Sequence, residues 1–128
     1  MVGSPNTTGV EQELVARLCV EYWKLVRASQ RAAQQLPDKD GRRMAAQVKF
    51  SDLQLATISG QLGLNLVSFD GEQFSVGMPA SADNGDDFSQ DEDLVVAKTI
   101  EPAVVRDMKV VHKGRVLVAR RSDEVQEE

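Results

Sequence analysis

Residues 94–120 read LVVAKTIEPAVVRDMKVVHKGRVLVAR, a succession of β-branched runs broken by one proline and one glycine. Side chains branched at Cβ lose rotamer freedom against a helical turn and pack well on a pleated surface, so the run favours strands. Leu94, Val95 and Val96 with Thr99 and Ile100 make one strand candidate. Pro102 carries no N–H for a ladder, and the chain should bend or leave the sheet there. Val110-Val111 and Val116-Leu117-Val118 flank Lys113-Gly114, which predicts a hairpin turn at that dipeptide. Met108, Val110 and His112 then share one face and Lys109 and Val111 the other, neither cleanly polar. The expectation is a compact module of three short strands, covered on one side.

A different period governs the N-terminal half. Val15, Leu18, Tyr22, Leu25, Ser29, Ala32 and Leu36 recur at spacings of three and four, widened by Leu14, Cys19 and Val26, which predicts an amphipathic helix over residues 10–36. Thr8 is placed to cap it, with Glu11 and Glu13 in the first turn where the helix dipole favours negative charge. Pro37 disfavours the helical conformation at Leu36, and Asp38 or Asp40 is placed to cap a second helix that ends near Leu62, closed by Gly63. Its inward face should carry Met44, Val48, Ser51, Leu55, Ile58 and Leu62. Two helices with so short a link form an antiparallel hairpin. The first stripe is wider than one neighbour can cover, so self-association is expected through Val15, Leu18, Tyr22, Leu25 and Val26, two copies giving a four-helix bundle.

Between these regions, Leu64, Leu66 and Phe69 approach Asp70-Gly71 while Phe74 and Val76 lead away, the signature of a first β hairpin. Residues 79–93 are rich in Ser, Asp, Asn and Gly and are expected to form a mobile acidic loop. Its Asp83, Asp86, Asp87, Asp91, Glu92 and Asp93 do not match a calcium loop, because no bidentate Glu follows at the twelfth position and the turn glycine is misplaced. The fold class expected is α+β: a disordered leader over residues 1–9, a helical dimerisation region over 10–63, a small all-β domain over 64–121 and a disordered acidic tail over 122–128.

Charge and composition exclude several functions. Residues 1–63 hold eight Lys/Arg against six Asp/Glu, whereas residues 64–128 hold seven against fourteen, and an acidic surface disfavours phosphate-rich nucleic acid. No run of about 18 apolar residues and no signal-peptide pattern occurs, which predicts a cytoplasmic protein with no membrane contact. One Cys precludes an internal disulfide. Cys19 on a helix stripe and His112 in a strand are not placed to form a nucleophile and base, and Gly41-Arg42-Arg43 lacks the Gly and Lys-Ser/Thr of a phosphate loop. Neither catalysis, a metal nor a cofactor is expected.

The run 103–118 resembles, without a gap, the C-terminal β signature of GrpE, the nucleotide exchange factor of DnaK-type chaperones. Lys109, Val110, Val111, Arg115, Val116 and Val118 fall on like residues, whereas Ala103 stands where the family has Gly, Val104 where it has an aromatic, Asp107 where it often has Gly and His112 where it has Arg. Residues 49–63 resemble the family's last helix before an exit glycine, and Phe69-Asp70-Gly71-Glu72-Gln73-Phe74 is similar to its Gly-Glu-Pro-Phe segment without the following Asp-Pro. Most of the family's long stem is missing. The resemblance implies a homodimer whose β domain reaches into the nucleotide-binding domain of a DnaK-type or actin-fold ATPase and promotes ADP release. Carried onto this chain, the partner-binding residues would be Arg106, Lys109, Lys113 and Arg115, with Arg42 and Arg43 on the bundle. Solvated strand edges guarded by charge account for the same side chains equally well, and a dimeric adaptor with no effect on nucleotide is the competing function.

Overall fold

Uninterrupted by proline or glycine after its first residue, the N-terminal segment winds into α1 (Gly9–Gln34). The protein is described here by a computed structural model covering residues 9–122; Thr8 and, apart from Gly9 and Ser122, the expected leader and tail lie outside the described residues. Pro37 separates α1 from α2 (Asp38–Gln61) and itself occupies the cap position without a side-chain cap bond. Asp38 and Asp40 therefore do not cap α2; they lie in its first turn, where its unpaired N–H groups favour negative charge. At the other end Gly63 adopts φ +74, its N–H reaches Gly60 O at 3.0 Å and the Leu64 N–H reaches Ser59 O at 2.8 Å. This is the paired closure that a left-handed residue allows.

The two helices meet as a hairpin, with the Tyr22 hydroxyl donating to Ser51 O at 2.9 Å and Arg27 reaching Asp52 at 3.5 Å. Val48 and Leu55 are buried and Met44 and Ser51 half-buried, but Ile58 and Leu62 are exposed. On α1 the buried residues are Ala16, Cys19, Val20, Trp23, Val26 and Ala33. The buried face is thus rotated from the expected stripe, whose Leu18 and Leu25 are 70% and 68% exposed. Trp23 is covered by the Arg27 guanidinium 4.5 Å from its ring centroid. Burial pushes the Cys19 thiol upward, as befits a small core residue. Among the described residues no helix is long and apolar enough to cross a membrane.

A second compact unit begins at Leu66. Among the described residues six short strands form two three-stranded sheets, so the architecture is α+β with more strands than expected. One sheet has the order β1 (Asn65–Val67), β4 (Ala103–Arg106), β5 (Lys109–His112), and the other β2 (Ala80–Ala82), β6 (Gly114–Arg120), β3 (Leu94–Glu101). Pro102, buried, marks the corner where the chain leaves β3 for β4 in the other sheet. β6 is the centre of its sheet, parallel to β2 from the Ala80/Gly114 pair and antiparallel to β3 from the Leu94/Arg120 pair. Phe69, Ala80, Leu94, Val96, Ala103, Val116 and Val118 make the core, with Phe74, Met78 and Phe88 packed against it.

Three expectations for this unit are corrected. Lys113-Gly114 is not a hairpin turn: β5 and β6 belong to different sheets, and Gly114 pairs with Ala80. The hairpin turn lies instead at Asp107-Met108 between β4 and β5, with Arg106 opposite Lys109 and both turn residues at positive φ, +50 and +65. That conformation suits a two-residue hairpin but costs an ordinary L residue about 1–2 kcal/mol. The Asp70-Gly71 turn is present, with Glu72 N–H on Phe69 O at 2.9 Å and Gly71 at φ +82. It joins no hairpin, however, because residues 71–74 run beside β3, bonding Val96 and Leu94, while β1 pairs with β4. Finally, residues 79–93 are fastened rather than loose. They contain β2 and a 3-10 turn at Gly85–Asp87, and the Asn84 side chain bonds Val118 twice, at 2.9 and 3.0 Å, as a strand neighbour would.

Candidate partner-binding surfaces

Two surfaces, one in each unit, gather the residues singled out from the sequence. In the helical hairpin, α1 and α2 leave an open groove of about 550 Å³ lined mainly by Leu18, Tyr22, Leu25, Val26, Met44 and Val48. Four of the five residues expected at a dimer seam are here. Val15 is not among the lining residues and is half-buried, and Val26 is already buried within the chain. Met44 and Val48, expected only as inward residues of α2, form the opposite wall. Leu18 and Leu25 are therefore unpartnered apolar side chains on the wall of an apolar cleft, a combination that marks interaction sites. Arg42 lines a separate groove with Ala33, Leu36 and Gly41, and Arg43 is exposed. Neither makes an ion pair with a described residue.

In the β unit, the expected cations do not form one set. Arg115 is tied inward: its Nη2 and Nε donate to the two oxygens of Asp83 at 2.6 and 3.2 Å, and its Nη1 lies 3.4 Å from Glu101 Oε2. Glu101 is buried and also meets His112 Nε2 at 3.1 Å. A buried carboxylate held by two basic side chains is a tie between β3, β5, β6 and the residue after β2. The Arg115 bond holds the Asp83 carboxyl below the usual carboxylate range, and Asp83 in turn raises Arg115. Arg120 and Arg121 are likewise matched, to Glu92 and Asp93, and Arg120 lies 5.1 Å over the Phe88 ring. The bond from Arg120 lowers the Glu92 pKa.

The β4–β5 hairpin is different. Lys109 and Lys113 are exposed and form no ion pair with a described residue, while Arg106 lies 4.0 Å from Asp107 at the tip. So Arg106 and Lys109 face each other at the tip of the β4–β5 hairpin, Lys113 follows β5 at its root, and Arg115 is a structural tie on β6. Sequence reasoning missed Met108 at the tip and the Glu101–Arg115–Asp83 tie, because Asp-Met lacks a turn glycine and the tie spans residues far apart in sequence. Among the described residues no three His, Cys, Asp or Glu side chains are grouped so as to hold a metal.

A consequence for stability follows. Because the folded pKa of Asp83 is depressed, its contribution is present above the unfolded value of about 3.9 and lost as pH falls through the lower folded value. Thermal melting should therefore be insensitive to this group between about pH 5 and 8 and fall below about pH 4. Arg115→Ala should lower the melting temperature at pH 7 and lose less on acidification, whereas Lys113→Ala should melt as the parent. An unchanged Arg115→Ala melt would return Arg115 to the set of free surface cations. No family model, curated protein or solved structure matches the chain.

Proposed function

We propose that this chain is a GrpE-like nucleotide exchange factor, a non-enzymatic cytoplasmic homodimer that binds the nucleotide-binding domain of a DnaK-type or actin-fold ATPase and promotes ADP release. The observation that carries the reading is the order of parts: an apolar-grooved helical hairpin, then small sheets in which the GrpE-like run supplies β4, β5 and the first part of β6, with a cationic hairpin between them. The helical groove would join two copies, and the hairpin would contact the ATPase. Exchange then needs no chemistry. A protein that binds the open, nucleotide-free ATPase more tightly than the closed one must weaken nucleotide by the same factor. The internal tie of Arg115 supports the second reading, a dimeric adaptor that leaves nucleotide untouched, since it withholds from the partner one of the four cations expected to bind it in the β unit.

One assay separates the two. A DnaK-type ATPase is loaded with a fluorescent ADP analogue and mixed with this protein at saturating concentration. The exchange reading expects the analogue to leave at least about ten-fold faster, a coupling within the usual 1–3 kcal/mol. Binding with an unchanged release rate would leave the adaptor.

A further inference from the structure

The tip of the β4–β5 hairpin breaks a local rule where no contact among the described residues requires it. Asp107 and Met108 both occupy the left-handed region, which glycine enters without penalty. Met108 is nevertheless a methionine, and at 95% exposure its side chain packs on no described residue that could offset the strain. Departures of this kind concentrate at functional positions, because there the side chain is kept for a contact made elsewhere. A thioether on an unbranched stem adapts to irregular apolar cavities. Here it projects from a two-residue turn whose root is fixed by fully buried Ala103 and Val104. Val110, 51% exposed, continues the apolar surface two residues later.

The charges around the tip define what it fits. In a half of the chain with fourteen carboxylates for seven cations, Arg115, Arg120 and Arg121 all have acidic partners, yet exposed Lys109 and Lys113 pair with no described carboxylate. Lys109 stands at the tip, opposite Arg106, whereas Lys113 follows β5 at the hairpin's root, one residue past the Val104/His112 pair. An apolar point with an unneutralised lysine beside it is complementary to an apolar pocket with a carboxylate on its rim. The excess of carboxylates elsewhere on the unit disfavours a phosphate surface, whether nucleic acid or lipid.

We propose that the β4–β5 tip is a docking knob: Met108 and Val110 seat in an apolar pocket of a protein partner, and Lys109, beside the tip, pairs with an acidic side chain at its mouth. The choice of partner rests on the exchange-factor reading; the knob itself does not require nucleotide release. The knob makes Met108→Gly an unusual variant, because it relieves the turn and removes the anchor together. Its melting temperature rises while its binding falls, opposite signs that a purely structural role cannot produce.

The test titrates fluorescently labelled protein with the nucleotide-free nucleotide-binding domain of a DnaK-type ATPase and follows ADP-analogue release in parallel. Met108→Gly is expected to weaken binding at least about ten-fold, as loss of an interface anchor does, and Met108→Leu to bind within about three-fold of the parent. Lys109→Glu should slow association and flatten its salt dependence. If Met108→Gly binds like the parent, or loses binding together with stability, the knob is wrong. Binding that depends on Met108 without faster release keeps the knob and removes the exchange function. Release accelerated equally by parent and Met108→Gly keeps the exchange function and removes the knob. Failure of the parent chain to bind removes both.

Discussion

Gly114→Val should lower the melting temperature by roughly 10 °C or more, the largest loss expected of any single methyl-bearing substitution in the β unit. A Cβ built at Gly114 would stand 3.0 Å from the Ala103 backbone N, 3.1 Å from Glu101 O and 3.1 Å from Cε2 of Phe69. Two of these atoms are backbone and the third belongs to a buried ring, so none can swing aside as the end of a flexible side chain would. The position is also the start of the central strand, where Gly114 N–H bonds Pro79 O at 2.9 Å and Gly114 pairs with Ala80. Moving it would part β6 from β2 and from the corner at Pro102. Overpacking a closed core costs about 1–3 kcal/mol and sometimes more; Val adds two methyls beyond the Cβ, so about 3 kcal/mol is expected. Gly114→Ala should fall between Val and the parent. A Gly114→Val melt within about 2 °C of the parent would show that the corner yields, and that the glycine is not there for space.

Gly114 shows what a local sequence pattern can and cannot carry. A Gly between valine runs has two physical uses, a turn that needs positive φ and a place where another backbone passes close. Lys113-Gly114 looks like the first and is the second, and no local pattern distinguishes them, because the passing strand is brought by Pro102. The true turn, Asp107-Met108, carries no glycine at all. By contrast the helices were legible almost to their ends. Their periodicity, Pro37 and the left-handed Gly63 are local signals, and α1 and α2 end within two residues of the expected limits. What the period did not reveal is which of several apolar residues on a broad face the chain itself buries. Trp23 and Ala16 go inward and Leu18 and Leu25 stay out. Composition misled for residues 79–93 in a similar way: an acidic segment reads as loose unless its cations, here Arg115, Arg120 and Arg121, are known to lie opposite. Of the candidate sites, the hairpin lysines and the groove leucines were visible as residue types. Arg115 could not be separated from them until its partners were placed.

Leu25→Asp should convert a dimer into a monomer of 14.0 kDa by light scattering while leaving the far-ultraviolet helical signal and the melting of the monomer intact. The reasoning depends on where Leu25 sits. A residue buried in the chain's own core would unfold it when replaced by aspartate, since an unpaired buried charge is strongly unfavourable. Leu25 is 68% exposed, so in one copy the aspartate remains hydrated. Only when a second copy covers the groove does that charge lose water, and each leucine covered contributes about 1.5–3 kcal/mol to the seam. A twofold seam counts every residue twice, which doubles the effect of one substitution. Leu18, 70% exposed on the same groove wall, should behave alike, and Leu18→Asp with Leu25→Asp should be no more monomeric than either alone. Val26 supplies the contrast: it is buried in the single chain, and Val26→Asp should lower helicity and stability whatever the oligomeric state. A Leu25→Asp protein that still scatters as a dimer would place the seam elsewhere than this groove, and with it would go the four-helix bundle on which the exchange-factor reading depends.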